Sequence, residues 1–237
     1  MPPILKFFEN VDLNEFTLLI PSVSVGNVPQ LTLDLLIKTF DFQKIASLWH
    51  PSIVSSVGAD PYDFSSPKIC MACELYSNEK LKVACMQLRS TLDSKMANKF
   101  FEDIYNCINN LNFKQIIILS SAFDYELPNI NKKRFYFLDN LQNNVCNIPD
   151  MEQLDKDLSG KYRVNGAGFA LNLYAVLSKG LKCILLGKYI SEGDNRPDAQ
   201  AVLEKVLQVL HVKMPKMIQY PRSWDLVFGG PPPIGIY

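Results

Sequence analysis

The run Gln115-Ile116-Ile117-Ile118-Leu119 decides the fold. Four consecutive aliphatic side chains leave no face for water, and the run has the length of a strand rather than a helix, so it belongs to a sheet covered on both sides. Cys183-Ile184-Leu185-Leu186 reads the same way, and Phe16-Thr17-Leu18-Leu19-Ile20 supplies another short strand. Between such strands the apolar spacing turns helical: a helix from about Val28 to Phe40, opened by Asn27 and Gln30 placed like a capping box, and a second from near Ser94 with Phe100, Phe101, Ile104, Ile108 and Leu111 in step. Ala170, Leu173, Tyr174 and Leu177 make a third stripe, and Ala199, Val202, Leu203, Val206, Leu207 and Leu210 a fourth. Lys44 to Trp49, Ile69 to Tyr76 and Leu81 to Leu88 read as strands, the last two joined through Ser77-Asn78-Glu79-Lys80. Helices alternating with buried strands predict a layered α/β/α domain with a mixed, largely buried sheet. A single domain is expected over residues 1–228, with the asparagine-rich part 121–160 a long loop or small helical insert, followed by a flexible Pro/Gly-rich tail at 229–237.

With 237 residues, 48% apolar and 20% charged, the chain has material for a real core. Its 24 basic and 24 acidic side chains balance, and Lys132-Lys133-Arg134 is the densest basic run, so no nucleic-acid partner is expected. The longest apolar stretch, Phe169 to Gly187, is broken by Asn172, Ser178, Lys179 and Lys182, which argues against a membrane partner. The N-terminus lacks the succession of a signal peptide, so a cytoplasmic and nuclear location is expected.

Chemistry is sparse. Cys70 and Cys73 form a C-x-x-C inside the extended run ICMACELY, without the second pair or histidine of a zinc site and without the helix start of a redox pair. The histidines, His50 and His211, sit at element ends and read as structural. An enzyme acting on a nucleoside or phosphate ligand would have to use Gly166-Ala167-Gly168 and the acidic loop from Glu192 to Asp198. The competing reading spends the glycines on a tight turn and the loop on starting a helix, with Asn195 as cap, Pro197 in the first turn and Asp198 on the helix dipole. No hydrolase elbow, zincin or Walker motif occurs, so neither turnover chemistry nor a cofactor is expected.

The first helix carries two apolar stripes. Leu33, Leu36, Ile37 and Phe40 share the face expected on the sheet. Val28, Leu31 and Leu35 form another, separated by Thr32, Asp34, Lys38 and Thr39. This second stripe is either covered by the chain itself or docks a partner.

Three strings in order, FTLLIPSVSVGNVPQLTLDLLI from Phe16 to Ile37, SEGDNRPDA from Ser191 to Ala199 and PRSWDLVFG from Pro221 to Gly229, resemble the proteasome assembly chaperone 2 family. The resemblance runs from about Phe16 to the C-terminus and is weakest from Ser121 to Gly160. It implies an α/β chaperone that pairs with proteasome assembly chaperone 1. The pair would hold α-subunits during assembly of the 20S α-ring, delay premature ring dimerisation and be released once the particle matures. It also gives meaning to the end of the chain, Gly229-Gly230-Pro231-Pro232-Pro233-Ile234-Gly235-Ile236-Tyr237. Prolines between glycine hinges make a semi-rigid arm that extends roughly 25–30 Å at about 3.1 Å per residue. Proteasome-binding factors often end in a hydrophobic residue, a tyrosine and one more residue. Here Ile236 is followed by Tyr237 alone, so ring and carboxylate come from one residue. Insertion of this tail between α-subunits competes with anchoring on the chaperone body or its partner.

Overall fold

The computed structural model describes residues 5–127, 133–141 and 148–226. The tail residues Ile236 and Tyr237 lie outside the described residues. A nine-stranded mixed sheet carries the architecture, with strands β1 (Leu5–Phe7), β2 (Thr17–Pro21), β3 (Gln43–Leu48), β6 (Cys73–Asn78), β7 (Val83–Leu88), β8 (Gln115–Phe123), β9 (Phe135–Asp139), β10 (Met151–Gln153) and β11 (Cys183–Ile190). Their spatial order is β1-β3-β6-β7-β2-β8-β11-β9-β10, while β4 (Val57–Ala59) and β5 (Ile69–Met71) form a separate antiparallel ribbon. The centre, β7-β2-β8-β11, is parallel, and both flanks begin with antiparallel pairs.

Period-two alternation splits the central strands between two cores. Leu18, Ile20, Ile116, Ile118 and Leu185 face α2 (Ala97–Asn109) and α3 (Ala170–Leu177), which contribute Phe100, Phe101, Ile104 and Leu173. Leu19, Ile117, Leu119, Ile184 and Leu186 face α1 (Val28–Thr39) and α4 (Arg196–Val209), with Leu33, Leu36, Val202 and Val206. The expected α/β/α layering is therefore present, and it explains the unbroken apolar run at 115–119.

Several local expectations are corrected. The region 121–160 is neither simply a loop nor a helical insert. β8 runs on to Phe123, and Phe135–Asp139 and Met151–Gln153 become strands at the sheet edge. Residue Phe135 is clamped between the ammonium groups of Lys188 and Lys205, at 5.7 and 5.3 Å from its ring centre. The Asn27–Gln30 capping box does not form. Asn27 is left-handed, at φ 51°, and its side chain caps nothing, while Pro29 occupies the first turn. The single strand expected over Ile69 to Tyr76 breaks at Ala72, so that Ile69–Met71 leaves the main sheet for the ribbon. This break creates the surface described next.

Candidate protein-binding surface

Strands β3 and β6 are antiparallel neighbours, yet residues 49–72 depart between them as a long strap that includes the β4–β5 ribbon. Val57 stands opposite Met71 and Ala59 opposite Ile69, so these four share one face of the ribbon. That face is open: Val57 is 69% exposed, Ile69 58% and Met71 41%. Trp49, Val54 and Phe64 are exposed on the same strap. Six of the eleven exposed large apolar residues among those described thus lie in one short excursion, which marks it as a contact surface.

The strap has little core of its own and is pinned by buried polar groups. At its start His50 and Ser52 are buried; the Ser52 hydroxyl is 2.6 Å from His50 Nδ1, and His50 Nε2 lies 3.2 Å from Asp103 Oδ2 on α2. These three residue types in a row suggest a nucleophile, but a fully buried Ser52 meets no substrate, so the trio fixes the corner at Pro51. In the middle, the Tyr62 hydroxyl donates to Asp34 Oδ1 at 2.7 Å and accepts from Arg89 Nη2 at 3.0 Å. Arg89 also grips both Asp34 oxygens, at 2.7 and 3.2 Å, and Gln87 donates to the same carboxylate at 2.8 Å. Burial, reinforced by the Asp34 carboxylate, holds the Tyr62 phenol protonated well above its ordinary range. At the strap's return, Glu74, 1% exposed, accepts from Lys44, Met71 N–H, Tyr76 and Cys70. Lys44 also donates to Ile69 O at 2.7 Å. Both buried carboxylates are thus saturated with donors, as low-dielectric burial requires.

The second stripe on α1 belongs to the core. Val28 and Leu35 are fully buried and Leu31 is half-buried, because α4 packs across this side of α1. The contact is sealed by Thr32, whose hydroxyl donates to Val28 O and reaches Ala199 O at 3.2 Å. Docking of a partner on Val28 and Leu35 is therefore ruled out while α4 is in place. Thr32 and Asp34, two of the polar residues that separate the stripes, are themselves buried. No periodicity rule signals this, because Asp34 is soluble in the core through Tyr62, Gln87 and Arg89, residues 28, 53 and 55 positions away.

The glycine turn and the acidic loop both pack beside the turn at 24–27, Gly166 against Val25 and Asn195 against Gly26. In open α/β sheets a ligand sits beyond the strand ends where the connections diverge, here above β2 and β8. That crevice is filled by the chain itself. Val25 N–H donates to Gly166 O at 3.0 Å, and the Ser22 hydroxyl donates to Ala167 O at 2.9 Å while accepting from Phe169 N–H at 3.0 Å. Gly168 has φ +61°, and a Cβ there would stand 2.0 Å from Val23 O, so glycine is demanded by backbone contact. Across the strand ends, Asp194 is held by Arg196 at 2.7 Å, Asp198 pairs with Lys188, and Pro197 takes the first turn of α4. Asn195 does not cap that helix; its amide turns back to Gly193 O. The Cys70 and Cys73 thiols are buried, with Cys70 pushed up to about 11 chiefly by burial, so neither is an activated thiolate.

A layered α/β domain whose ligand crevice is closed by its own backbone, and whose exposed apolar side chains gather on one strap, has the form of a protein-binding module. The chain belongs to the PAC2 family, whose model matches residues 18–216. It is 31% identical to human proteasome assembly chaperone 2, over 94% of this chain and 95% of that protein, and 32% identical to the mouse protein of that name over the same shares. Among solved structures it is similar to Pyrococcus furiosus PbaA, an archaeal homolog of proteasome-assembly chaperone, with TM-score 0.67 and 15% identity over 89% of this chain and 88% of that one. PbaB of the same organism, an archaeal proteasome activator, matches with TM-score 0.65 and 15% identity over 89% and 90%. At such identity these structures speak to the fold alone.

Proposed function

We propose that the chain is a proteasome assembly chaperone that pairs with a partner of the proteasome assembly chaperone 1 type, and that the pair holds α-subunits while the 20S α-ring forms, preventing premature ring dimerisation. The family and the names of its relatives support assembly of the proteasome. The observation that carries protein binding is the concentration of exposed apolar side chains on residues 49–72, with the face of Val57, Ile69 and Met71 as the site of pairing. An enzyme using the 166–168 turn and the 192–198 loop is disfavoured, since those residues are engaged in packing and helix initiation.

Val57→Asp with Ile69→Asp places two charges on the open face without touching either core. Affinity for the partner chaperone should fall at least about 100-fold, as for loss of two central apolar contacts. The melting temperature of the isolated chain should stay within about 2 °C, as for exposed sites. Titration calorimetry with the purified partner reads the first and differential scanning fluorimetry the second; undiminished affinity would move the pairing site elsewhere.

The second contact in this reading is the tail, with Ile236 and Tyr237 entering a pocket between α-subunits. A terminal carboxylate and an adjacent ring set a strict register, so deleting Ile236-Tyr237, or adding one residue after Tyr237, should weaken α-ring binding about tenfold or more. Pairing through the strap should be untouched. Equal binding of all three forms to purified α-ring intermediates in surface plasmon resonance would dismiss the tail's part.

A further inference from the structure

Of the 15 prolines in the chain, Pro67 alone follows a serine or threonine. Ser66-Pro67 lies on the strap, in the loop that joins β4 to β5. A turn closed by Ser66 N–H on Asp63 O at 3.1 Å releases the chain into the irregular stretch Ser66-Pro67-Lys68 ahead of Ile69. Asp63, Phe64, Ser65, Pro67, Lys68 and Ile69 are exposed, Ser66 is half-buried, and neither core includes any of them. Among the described residues the Ser66 hydroxyl makes one hydrogen bond, accepting the Lys68 N–H at 3.2 Å. Ser65 beside it differs. Its hydroxyl and N–H both donate to Asp63 Oδ1, at 2.6 and 2.9 Å, so its proton is already committed.

These features fit one kind of reagent. Proline has no backbone donor, so an enzyme groove that covers the position after the serine without offering an acceptor selects proline there, where any other residue would bury an unpaired N–H. Proline also biases the serine before it to the extended backbone that such a groove reads.

We propose that Ser66 is a phosphorylation site for a proline-directed kinase, and that the phosphate loosens pairing through the strap. In the transfer Ser66 Oγ attacks the γ-phosphorus of ATP, the bond from that phosphorus to the bridging oxygen breaks, ADP leaves, and the hydroxyl proton passes to the kinase's catalytic base. The modified side chain carries about two negative charges at pH 7. Phe64 stands two positions before Ser66 and Ile69 three after, within about 11 Å by chain length, comparable with a Debye length of about 8 Å in physiological salt. Lys68 is the cation of this loop, set against Asp60 and Asp63, and Lys44 is engaged by Glu74, so the surroundings do not neutralise the phosphate. A hydrated dianion beside Val57, Ile69 and Met71 resists being covered by an apolar partner face. Only this effect on pairing rests on the contact proposed above for that face.

The full-length chain is incubated with ATP and two purified proline-directed kinases, one mitogen-activated and one cyclin-dependent, and the phosphate is located by peptide mass spectrometry. Ser66 should be the residue modified. Ser66→Ala should remove the label, Pro67→Ala should slow its incorporation at least about tenfold, and Ser65→Ala should leave it unchanged. The phosphorylated chain should keep its melting temperature within about 2 °C and bind the partner chaperone at least about tenfold more weakly in titration calorimetry. Absence of phosphate on Ser66, or incorporation indifferent to Pro67→Ala, overturns the site. Pairing as tight as, or tighter than, that of the unmodified chain overturns the effect. The Val57→Asp, Ile69→Asp double variant tells this failure from that of the pairing face itself: if it too pairs normally the face is wrong, and if it does not, the phosphate is without influence on a correct face.

Discussion

Leu35→Asp should abolish folding, whereas Leu31→Asp on the same helix stripe should cost about 1 kcal/mol. Leu35 is fully enclosed in the apolar cluster where α1 meets α4, and a carboxylate there would lose its hydration. Such a burial exceeds about 4 kcal/mol, a large part of the stability of an ordinary domain. Leu31 is only half-buried, so its replacement can keep water on the new charge. Soluble yield, near-ultraviolet circular dichroism and urea titration of the two variants separate the cases. A folded Leu35→Asp monomer that merely fails to pair would return the stripe to the partner and refute the packing described here.

The second large effect is expected at Arg89. Arg89→Met keeps most of the volume but leaves Asp34, 4% exposed, without its bidentate cation, and the loss should be about 3–5 kcal/mol. Asp34→Asn with Arg89→Met should cost less than the sum of the single changes, because the double variant strands no charge. Tyr62 hangs on the same pair, so amide exchange across Val57–Ala59 and Ile69–Met71 should rise together with the loss of stability in Arg89→Met. Additive energies in the cycle, or a ribbon protected as before, would mean that the strap is held by something other than this network.

The comparison of elements shows where sequence patterns inform and where they stop. The runs at 115–119 and 183–186 were legible because a strand covered on both faces has no choice but to be apolar throughout. The stripes of α2 and α4 were legible for the corresponding helical reason. Residues 121–160 were misread because β9 and the edge strand β10 are short and separated by polar sequence, and the pairing of β9 with β11 and of β10 with β9, rather than local propensity, makes them strands. Ile69 to Tyr76 looked like one strand because β-propensity is continuous across Ala72, although the two halves belong to different sheets.

The sequence by itself determined the layered α/β class, the alternation of helices and buried strands, and the family strings at 16–37, 191–199 and 221–229, since all of these are local properties of composition and spacing. Tertiary structure alone decided the site. The burial of Val28 and Leu35 depends on α4, more than 150 residues further along the chain. Asp34 is tolerated in the core through Arg89 and Tyr62, and the strap is apolar outside because polar pins hold it from inside. These are long-range pairings between side chains, and a one-dimensional pattern records the residues that take part without recording which of them meet.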